Sequence, residues 1–396
     1  MSQVQQFIDM EQTYAAKTYK PLDVVIERAE RVWVYDVDGN KYLDCLSAYS
    51  AVNQGHCHPR IKQAMIEQLG RVTLTSRAFR NSRMGPFLKR LSEITGYDKS
   101  IPMNSGAEAV ETAIKAARKW GYVAKGVEKN SAEIIVCEGN FHGRTTTIIS
   151  FSSEPAYKDL FGPHTPGFKF VPYGDAAALE AAITPNTVAF LVEPIQGEGG
   201  VNVPTAGYLK AASEVCKRNN VLFIADEIQT GLGRTGKLFA CDHEDVRPDI
   251  ITVGKALSGG FYPVSAAIAD DHILGLFKPG DHGSTFGGNP LGSVVAHAAL
   301  DVLLDEKLVE RSAELGDYFM GRLRRIESDL IKEVRGKGLL IGVELHVDAR
   351  PYAEALQARG LLAKETHNTV IRFAPPLVIT KEEIDWAIAH IEAVFA

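Results

Sequence analysis

The most informative part of the chain is the stretch Ile250-Ile-Thr-Val-Gly-Lys-Ala-Leu-Ser-Gly-Gly260. Its apolar, β-branched start predicts a buried strand, and the glycine-rich turn after it carries one lysine, Lys255. A second run of the same kind, Val221-Leu-Phe-Ile-Ala225, ends in Asp226. Ligands of parallel α/β sheets bind beyond the carboxyl ends of the strands. The sequence therefore predicts that Lys255 and Asp226 face one crevice.

Two further apolar runs, Ile134-Ile-Val-Cys137 and Val188-Ala-Phe-Leu-Val192, also end in polar or glycine-rich sequence. Continuous rather than alternating hydrophobicity indicates strands that are covered on both faces. Helical segments lie between some of these runs. The pattern predicts an α/β fold with a mainly parallel central sheet flanked by helices.

The two ends of the chain have a different character. The Asp38-Gly-Asn40 turn predicts a hairpin near the start, and a charged helix from about 306 to 330 precedes further strand and helix signals. We expect a large ligand-binding domain at 51–305. We expect a smaller α+β domain built from residues 1–50 and 306–396.

Composition limits the classes of partner and of site. The chain has 396 residues, a net charge of −6 and a pI near 6.0, which argue against nucleic acid or an anionic membrane as partner. Without an apolar signal core or a membrane-length apolar run, we expect a cytoplasmic location. Five scattered cysteines indicate reduced thiols. His56-Cys-His58 looks like a pair of metal ligands, but no further ligands stand at suitable spacing, and we expect no metal.

Lys255 and Asp226 together fit the needs of pyridoxal 5′-phosphate (PLP), which requires a lysine for its Schiff base and an acid opposite its pyridine nitrogen. Burial lowers a lysine pKa and so frees the amine. An anionic aspartate keeps the ring nitrogen protonated, so that the ring can accept electrons. Without a cofactor, Lys255 would be an ordinary surface lysine, and Asp226-Glu227 would be an ordinary acidic pair where a strand passes into a loop.

The cofactor phosphate needs hydrogen-bond donors. Ser105 and Glu108 form a capping-box pattern at a helix start, where backbone N–H groups can approach an anion. The same pattern is equally consistent with a helix that is merely well capped. The candidate phosphate ligands are Ser105, Gly106, Ala107, Ser284 and Thr285.

The remaining candidates would serve the ring and the substrate. Phe141 can supply a face for the cofactor ring. Arg144 and Arg372 can bind carboxylates in a bidentate way, although arginine most often forms surface ion pairs. Glu198 can be a simple turn residue, and Tyr19 a packing residue.

The segment Phe223-Ile-Ala-Asp-Glu-Ile-Gln-Thr-Gly-Leu-Gly-Arg-Thr-Gly236, together with Lys255, resembles the signature of class III PLP-dependent aminotransferases. The resemblance extends over nearly the whole chain. Three further segments resemble the ornithine δ-aminotransferase branch: Ser47-Ala-Tyr-Ser-Ala-Val-Asn-Gln-Gly-His-Cys-His-Pro59, Leu74-Thr-Ser-Arg-Ala-Phe79 and Ile371-Arg-Phe-Ala-Pro-Pro-Leu-Val378. One departure is His142, which stands where animal members of that branch carry tryptophan.

The resemblance implies PLP fold type I and a homodimer, or a larger assembly of it, with active sites at the subunit interface. It implies that Lys255 is the Schiff-base lysine and proton carrier, with Asp226 on the ring nitrogen. Gln229 would lie near the 3-hydroxyl and Phe141 on the ring face. The phosphate ligands would be Ser105, Gly106 and Ala107, with Ser284 and Thr285 from the partner chain.

The same resemblance implies the substrates L-ornithine and 2-oxoglutarate. Arg144 would bind the carboxylate remote from the reacting atom, and Arg372 the carboxylate beside it. Glu198 would pair with Arg372 while ornithine is bound, which hides an otherwise unpaired charge. Tyr19 would contact the head group of ornithine, and Tyr49 would shape the pocket.

Three alternatives remain open from the sequence. Another ω-aminotransferase would act on N-acetylornithine or 4-aminobutyrate. An aminomutase or decarboxylase would keep the cofactor and change the reaction. A cofactor-binding regulator would need a DNA-binding domain, and no basic helix-turn-helix pattern is evident.

Overall fold

The computed structural model describes residues 3–395, so residues 1, 2 and 396 of the predicted terminal segments lie outside the described part of the chain. The strands, in chain order, are β1 Ile26–Glu30, β2 Trp33–Asp36, β3 Lys41–Asp44, β4 Lys99–Met103, β5 Glu133–Cys137, β6 Phe168–Val171, β7 Thr187–Val192, β8 Leu222–Asp226, β9 Ile250–Val253, β10 Ser265–Ala269, β11 Ile331–Lys337, β12 Leu340–Leu345, β13 Leu361–Leu362, β14 Lys364–Thr366 and β15 Val370–Phe373.

The α-helices, in the same order, are α1 Gln3–Tyr14, α2 Pro59–Leu69, α3 Met84–Thr95, α4 Gly106–Trp120, α5 Thr146–Ser150, α6 Pro155–Lys158, α7 Ala176–Ala182, α8 Tyr208–Arg218, α9 Asp271–Leu274, α10 Pro290–Asp305, α11 Leu308–Leu323, α12 Arg350–Ala358 and α13 Lys381–Phe395. The charged helix predicted at 306–330 therefore ends several residues early, at Leu323. Between residues 3 and 395, no helix has the length and apolar content needed to cross a membrane.

The central sheet has seven strands in the order β4-β10-β9-β8-β7-β5-β6. Adjacent strands are parallel within the run β9-β8-β7-β5-β6, and β10 is antiparallel to both β9 and β4. Every residue of β7, β8 and β9 is buried, because helices cover both faces of the sheet. The predicted α/β fold with a mainly parallel sheet is confirmed.

Helix α4 begins as the capping box predicts. The Ser105 hydroxyl accepts a hydrogen bond from the Glu108 amide at 3.3 Å, and the Glu108 carboxylate accepts one from the Ser105 amide at 2.7 Å. A cap of this kind stabilises a helix by about 1 kcal/mol. Alanines on the sheet-facing side of α4 are buried, which holds the amino end of the helix at the carboxyl edge of the sheet.

Two smaller sheets bring the ends of the chain together. The first has the order β1-β2-β3-β13 and includes the predicted hairpin, in which Val34 pairs with Tyr42. The second has the order β11-β12-β15-β14 and is antiparallel. Strand β13 joins the amino-terminal strands in parallel with β3. The domain boundaries at 50/51 and 305/306 stay predictions.

Candidate active site

A cavity of about 200 Å³ lies at the carboxyl ends of the parallel strands, between β8, β9 and the start of α4. Lys255 and Asp226, which follow or end adjacent strands, both line it. It also brings together most of the predicted cofactor residues and one predicted substrate residue. The predicted residues in its lining are Gly106, Ala107, Phe141, Glu198, Asp226, Gln229 and Lys255.

Asp226 is held by three hydrogen bonds. Its Oδ1 accepts from the Thr252 hydroxyl at 3.0 Å and from the Ile228 amide at 3.1 Å, and its Oδ2 lies 2.6 Å from His142 Nδ1. A carboxylate has about four acceptor positions, so one remains. That position suits the protonated nitrogen of a pyridine ring, and the aspartate therefore fits PLP.

Lys255 opens a short 3₁₀ turn after β9, with a left-handed φ of 41°. Such a backbone is strained for a residue other than glycine, and strained residues of this kind concentrate at functional sites. Burial lowers the pKa of the Lys255 amine; the charge of Glu198 opposes that shift and the charge of Arg372 adds to it. The amine therefore loses its proton more easily than an exposed lysine does.

The phosphate end of the site is built by the start of α4. A Cβ on Gly106 would lie 3.0 Å from the Ile228 side chain, so any larger residue here would have to push that side chain aside. Ser105 lines an adjoining cavity together with Gly106 and Lys255. These backbone and hydroxyl donors suit a phosphate at the positive end of a helix.

Ser284 and Thr285 do not line the cavity that contains Lys255. Within the single chain, the Ser284 hydroxyl accepts a hydrogen bond from the Asn104 side-chain amide at 3.0 Å, directly before the cap of α4. Thr285 is exposed. That Ser284 and Thr285 bind the cofactor phosphate in the site of a partner chain stays a prediction.

Arg372, on β15 of the carboxyl-terminal sheet, is 2% exposed and contacts two residues that line the cavity, Glu198 and Gln229. Its Nη1 donates to Glu198 Oε1 at 2.6 Å and to Gln229 Oε1 at 3.2 Å, and Gln229 Nε2 donates to Glu198 Oε1 at 3.1 Å. Burial alone would raise the pKa of Glu198, but the charges of Arg372 and Lys255 and the hydrogen bonds from Arg372 and Gln229 together outweigh it and lower that pKa to about 2. We call the Glu198–Arg372 ion pair the carboxylate gate.

Tyr49 lies against the other side of Arg372, with its ring centroid 5.1 Å from the guanidinium carbon. It sits in a left-handed turn, Ser47–Ser50, in which four consecutive non-glycine residues have positive φ. The sequence predicts only a loop for this turn. Its strained backbone sets the direction in which the Tyr49 ring projects.

Arg144 is exposed and surrounded by aromatic rings. Its guanidinium carbon is 4.8 Å from the Tyr157 ring centroid and 5.7 Å from those of Tyr19 and Phe141. Among residues 3–395, no carboxylate forms an ion pair with Arg144. The two predicted carboxylate-binding arginines therefore differ. Arg372 is buried and paired with Glu198, whereas Arg144 is exposed and can bind a carboxylate of the substrate.

The contacts of His142 and the role of Glu193 were not predicted from the sequence. His142 is buried; burial lowers its pKa, but the hydrogen bond and charge of Asp226 outweigh burial and raise it. Glu193 lines the cavity, accepts the Phe141 amide at 2.9 Å, and has a pKa that burial raises to about 8. Their position in the sequence could have identified them as site residues, because each lies in a polar segment that directly follows a buried strand.

His56 and His58 contact two different carboxylates and do not form a metal-ligand cluster. His56 Nε2 lies 2.7 Å from Asp44, and His58 Nε2 lies 3.0 Å from Glu306. Over residues 3–395, no group of three or more histidine, cysteine or acidic side chains could hold a metal ion.

Comparisons with known proteins agree with this geometry. The Aminotransferase class-III family pattern matches residues 14–395. An ornithine aminotransferase of Geobacillus sp. (strain WCH70) is 62% identical over 396 residues, which cover all of both chains.

Two solved structures are also similar over the full length. One is an ornithine aminotransferase from Toxoplasma gondii with partial occupancy of PLP at its active site; it is 48% identical, has a TM-score of 0.98, and the match covers 99% of this chain and 94% of that one. The other is an acetylornithine aminotransferase from Elizabethkingia anophelis, 51% identical with a TM-score of 0.91, covering 100% and 99%. With its fold type I architecture and a family match over nearly its whole length, the chain belongs to the class-III aminotransferases.

Proposed function

We propose that this chain transfers the δ-amino group of L-ornithine to 2-oxoglutarate. The products are glutamate and glutamate 5-semialdehyde, which cyclises to pyrroline-5-carboxylate. The observation that carries the proposal is the contrast between the two arginines: Arg372 is paired with Glu198 in the closed carboxylate gate, whereas Arg144 has no carboxylate partner among residues 3–395. The 62% identical relative named ornithine aminotransferase supports the same substrate.

The cofactor of this family is PLP, which when bound supplies a reactive aldehyde and an electron-poor ring. Lys255 would hold the aldehyde, and the free acceptor position of Asp226 would hold the ring nitrogen. Phe141 would cover the ring face, and Gln229 would reach the 3-hydroxyl. The phosphate would be held by Ser105, Gly106 and Ala107.

Lys255 is suited to move a proton because burial lowers the pKa of its amine. A base works best when its pKa lies near the operating pH, so a buried lysine exchanges a proton more readily than an exposed one. His142 and Thr252 hold the Asp226 carboxylate in one orientation during this exchange.

The gate would allow one site to bind two amino donors that differ in the number and position of their carboxylates. Ornithine reacts at its terminal amine, so its only carboxylate lies far from Lys255, near Arg144. Glutamate and 2-oxoglutarate carry a second carboxylate beside the reacting carbon, and Arg372 binds it after the Glu198 side chain turns away. With ornithine bound, Glu198 neutralises Arg372, which would otherwise be a buried unpaired charge.

A second candidate substrate is N-acetylornithine, because the acetylornithine aminotransferase from Elizabethkingia anophelis is 51% identical over the full chain. The two amines differ at the α-nitrogen, which is charged in ornithine and a neutral amide in N-acetylornithine. Tyr19, whose ring lies beside Arg144, would contact that nitrogen.

Assembly and location extend the proposal. A homodimer would let Ser284 and Thr285 complete the phosphate site of a partner chain. Within its own chain, Ser284 contacts Asn104. A cytoplasmic location is supported by five free cysteines, of which all but Cys57 are buried.

The test is a direct assay of the PLP-loaded protein with 2-oxoglutarate and one amine at a time. We expect the largest kcat/KM with L-ornithine and formation of pyrroline-5-carboxylate. Efficient turnover of N-acetylornithine or 4-aminobutyrate, with no pyrroline-5-carboxylate from ornithine, would overturn the substrate assignment.

A further inference from the structure

Glu198 stands in a tight loop, Gly197–Val201, whose backbone is strained. Gly200 has a φ of 114°, and Val201, a buried β-branched residue, has a φ of 54°. Valine is strongly disfavoured in this left-handed region, so neighbouring contacts must hold it there. The Val201 amide donates to the Gly197 carbonyl at 3.2 Å, which closes the loop on itself.

Two side chains of the carboxyl-terminal sheet donate hydrogen bonds to the backbone carbonyls of this loop. Arg335, on β11, donates from Nη2 to the Gly200 carbonyl at 2.6 Å and from Nε to the Val201 carbonyl at 3.1 Å. Thr366, on β14, donates its hydroxyl to the Glu198 carbonyl at 2.8 Å. The three carbonyls therefore have fixed positions relative to the sheet.

Arg335 is itself firmly placed. It forms ion pairs with Glu344 on the neighbouring strand and with Glu333, the latter at 2.8 Å. Its side chain is 15% exposed, so these charges are only partly screened by water. The guanidinium cannot leave the loop without breaking several charged hydrogen bonds.

The same sheet carries the other half of the gate. Arg372 is on β15, and in the sheet it pairs with Gly342 of β12. Val201 packs on that glycine so closely that a Cβ there would lie 3.0 Å from the Val201 Cβ. The loop that carries Glu198 and the strand that carries Arg372 thus share one rigid support.

We propose that Arg335 and Thr366 are positioning residues for the carboxylate gate. They fix the backbone of Gly197–Val201, so that gate opening is a rotation of the Glu198 side chain and not a movement of the loop. Neither residue touches the substrate. Their effect is confined to the choice between ornithine, which needs the closed gate, and glutamate, which needs the open one. The inference rests on the proposed function.

The variants are Arg335→Met, which keeps the length of the side chain without its donors, and Thr366→Val, which removes only the hydroxyl. The kcat/KM of each amino donor is measured with the PLP-loaded full chain. We expect the ornithine-to-glutamate ratio of kcat/KM to fall about 5-fold in Arg335→Met and about 3-fold in Thr366→Val, as for coupled neighbours. Lys332→Met, which removes another cation paired with Glu344 at 2.6 Å, should leave the ratio unchanged.

A double-mutant cycle separates positioning from general damage. In a Glu198→Ala background the gate is absent, so adding Thr366→Val or Arg335→Met should not change the ratio further. Unchanged ratios in both single variants, or equal falls with and without Glu198, would overturn the inference. If Arg335→Met does not fold, the ratio measured for Thr366→Val alone tests the inference. A wild-type chain that fails to use ornithine would instead overturn the proposed function, and the inference with it.

Discussion

Each arginine of the site owes its behaviour to its surroundings. Arg372 is buried against Glu198, Gln229 and Tyr49, whereas Arg144 stands exposed among aromatic rings. A buried guanidinium without a partner is costly, so Arg372 must always face a carboxylate. The side chain of Glu198 supplies that carboxylate when the substrate does not.

Replacing Glu198 with alanine should therefore separate the two half-reactions. In Glu198→Ala, Arg372 stays unpaired while ornithine is bound, and a lost charged hydrogen bond of 1.5–3 kcal/mol predicts a fall of roughly 10- to 100-fold in kcat/KM for ornithine. For glutamate, whose own carboxylate pairs with Arg372, kcat/KM should hold or rise. Rapid-mixing absorbance measurements of each half-reaction test this, with Glu198→Gln as a variant that keeps an acceptor. Equal losses for both donors would remove Glu198 from the gate.

Glu193 predicts a pH dependence of stability. Burial raises its pKa from an ordinary 4.5 to about 8, so the folded chain keeps a proton that the unfolded chain releases. Between those pH values the folded state binds more protons, and its stability falls as pH rises, by about 1.4 kcal/mol per pH unit at most. In Glu193→Gln this fall should largely disappear. Urea unfolding of the cofactor-free protein at pH 5.5 and pH 8 should show a difference about 3 kcal/mol smaller in the variant; identical pH slopes would contradict the assignment.

At the scale of elements, the features that the sequence predicted are those with a local physical cause. Continuous apolar runs marked β7, β8 and β9, and the capping box marked the start of α4. Because parallel strands end at one edge of a sheet, the order of residues alone was enough to place Lys255 and Asp226 together.

Features that depend on distant pairing were not predictable in this way. The joining of β13 to β3 and the contact of His142 with Asp226 need the whole fold. Strand β10, made of serine, isoleucine and alanines, lacks the β-branched signal that marked its neighbours. The left-handed turn Ser47–Ser50 contains no glycine, so its positive φ values had no local signature.

The start of α4 allows the structural and the cofactor-binding roles of a helix cap to be separated. Ser105→Ala removes a cap at the cofactor site, and Asp175→Ala removes one from α7, where Asp175 Oδ1 accepts the Ala178 amide at 2.8 Å. Each change should lower the free energy of unfolding by about 1 kcal/mol. Only Ser105→Ala should also weaken PLP binding, by roughly 10-fold for one charged hydrogen bond. Chemical denaturation and fluorescence titration of the cofactor-free proteins measure the two quantities, and equal PLP affinities would exclude the Ser105 hydroxyl as a phosphate ligand.

At the scale of the whole molecule, two sheets and one turn carry the residues of the site. The central sheet presents Lys255 and Asp226, the carboxyl-terminal sheet presents Arg372 and supports the loop of Glu198, and the amino-terminal turn presents Tyr49. Ser284 and Thr285 stand outside the cavity that these parts enclose. A second chain would give them a role, and complementation between inactive variants can test that proposal.

Two inactive variants should restore activity when they are combined. In a dimer whose sites take Lys255 from one chain and Thr285 from the other, a hybrid of Lys255→Ala and Thr285→Tyr has one doubly damaged site and one intact site. Co-expression with two different affinity tags isolates that hybrid, and it should recover up to about half of the wild-type activity per dimer, because one of its two sites is intact. A hybrid of Lys255→Ala with Asp226→Asn is the matched control; since both residues lie in the same chain's cavity, it should remain inactive. If the first hybrid is as inactive as the second, Thr285 serves its own chain and the shared site is wrong.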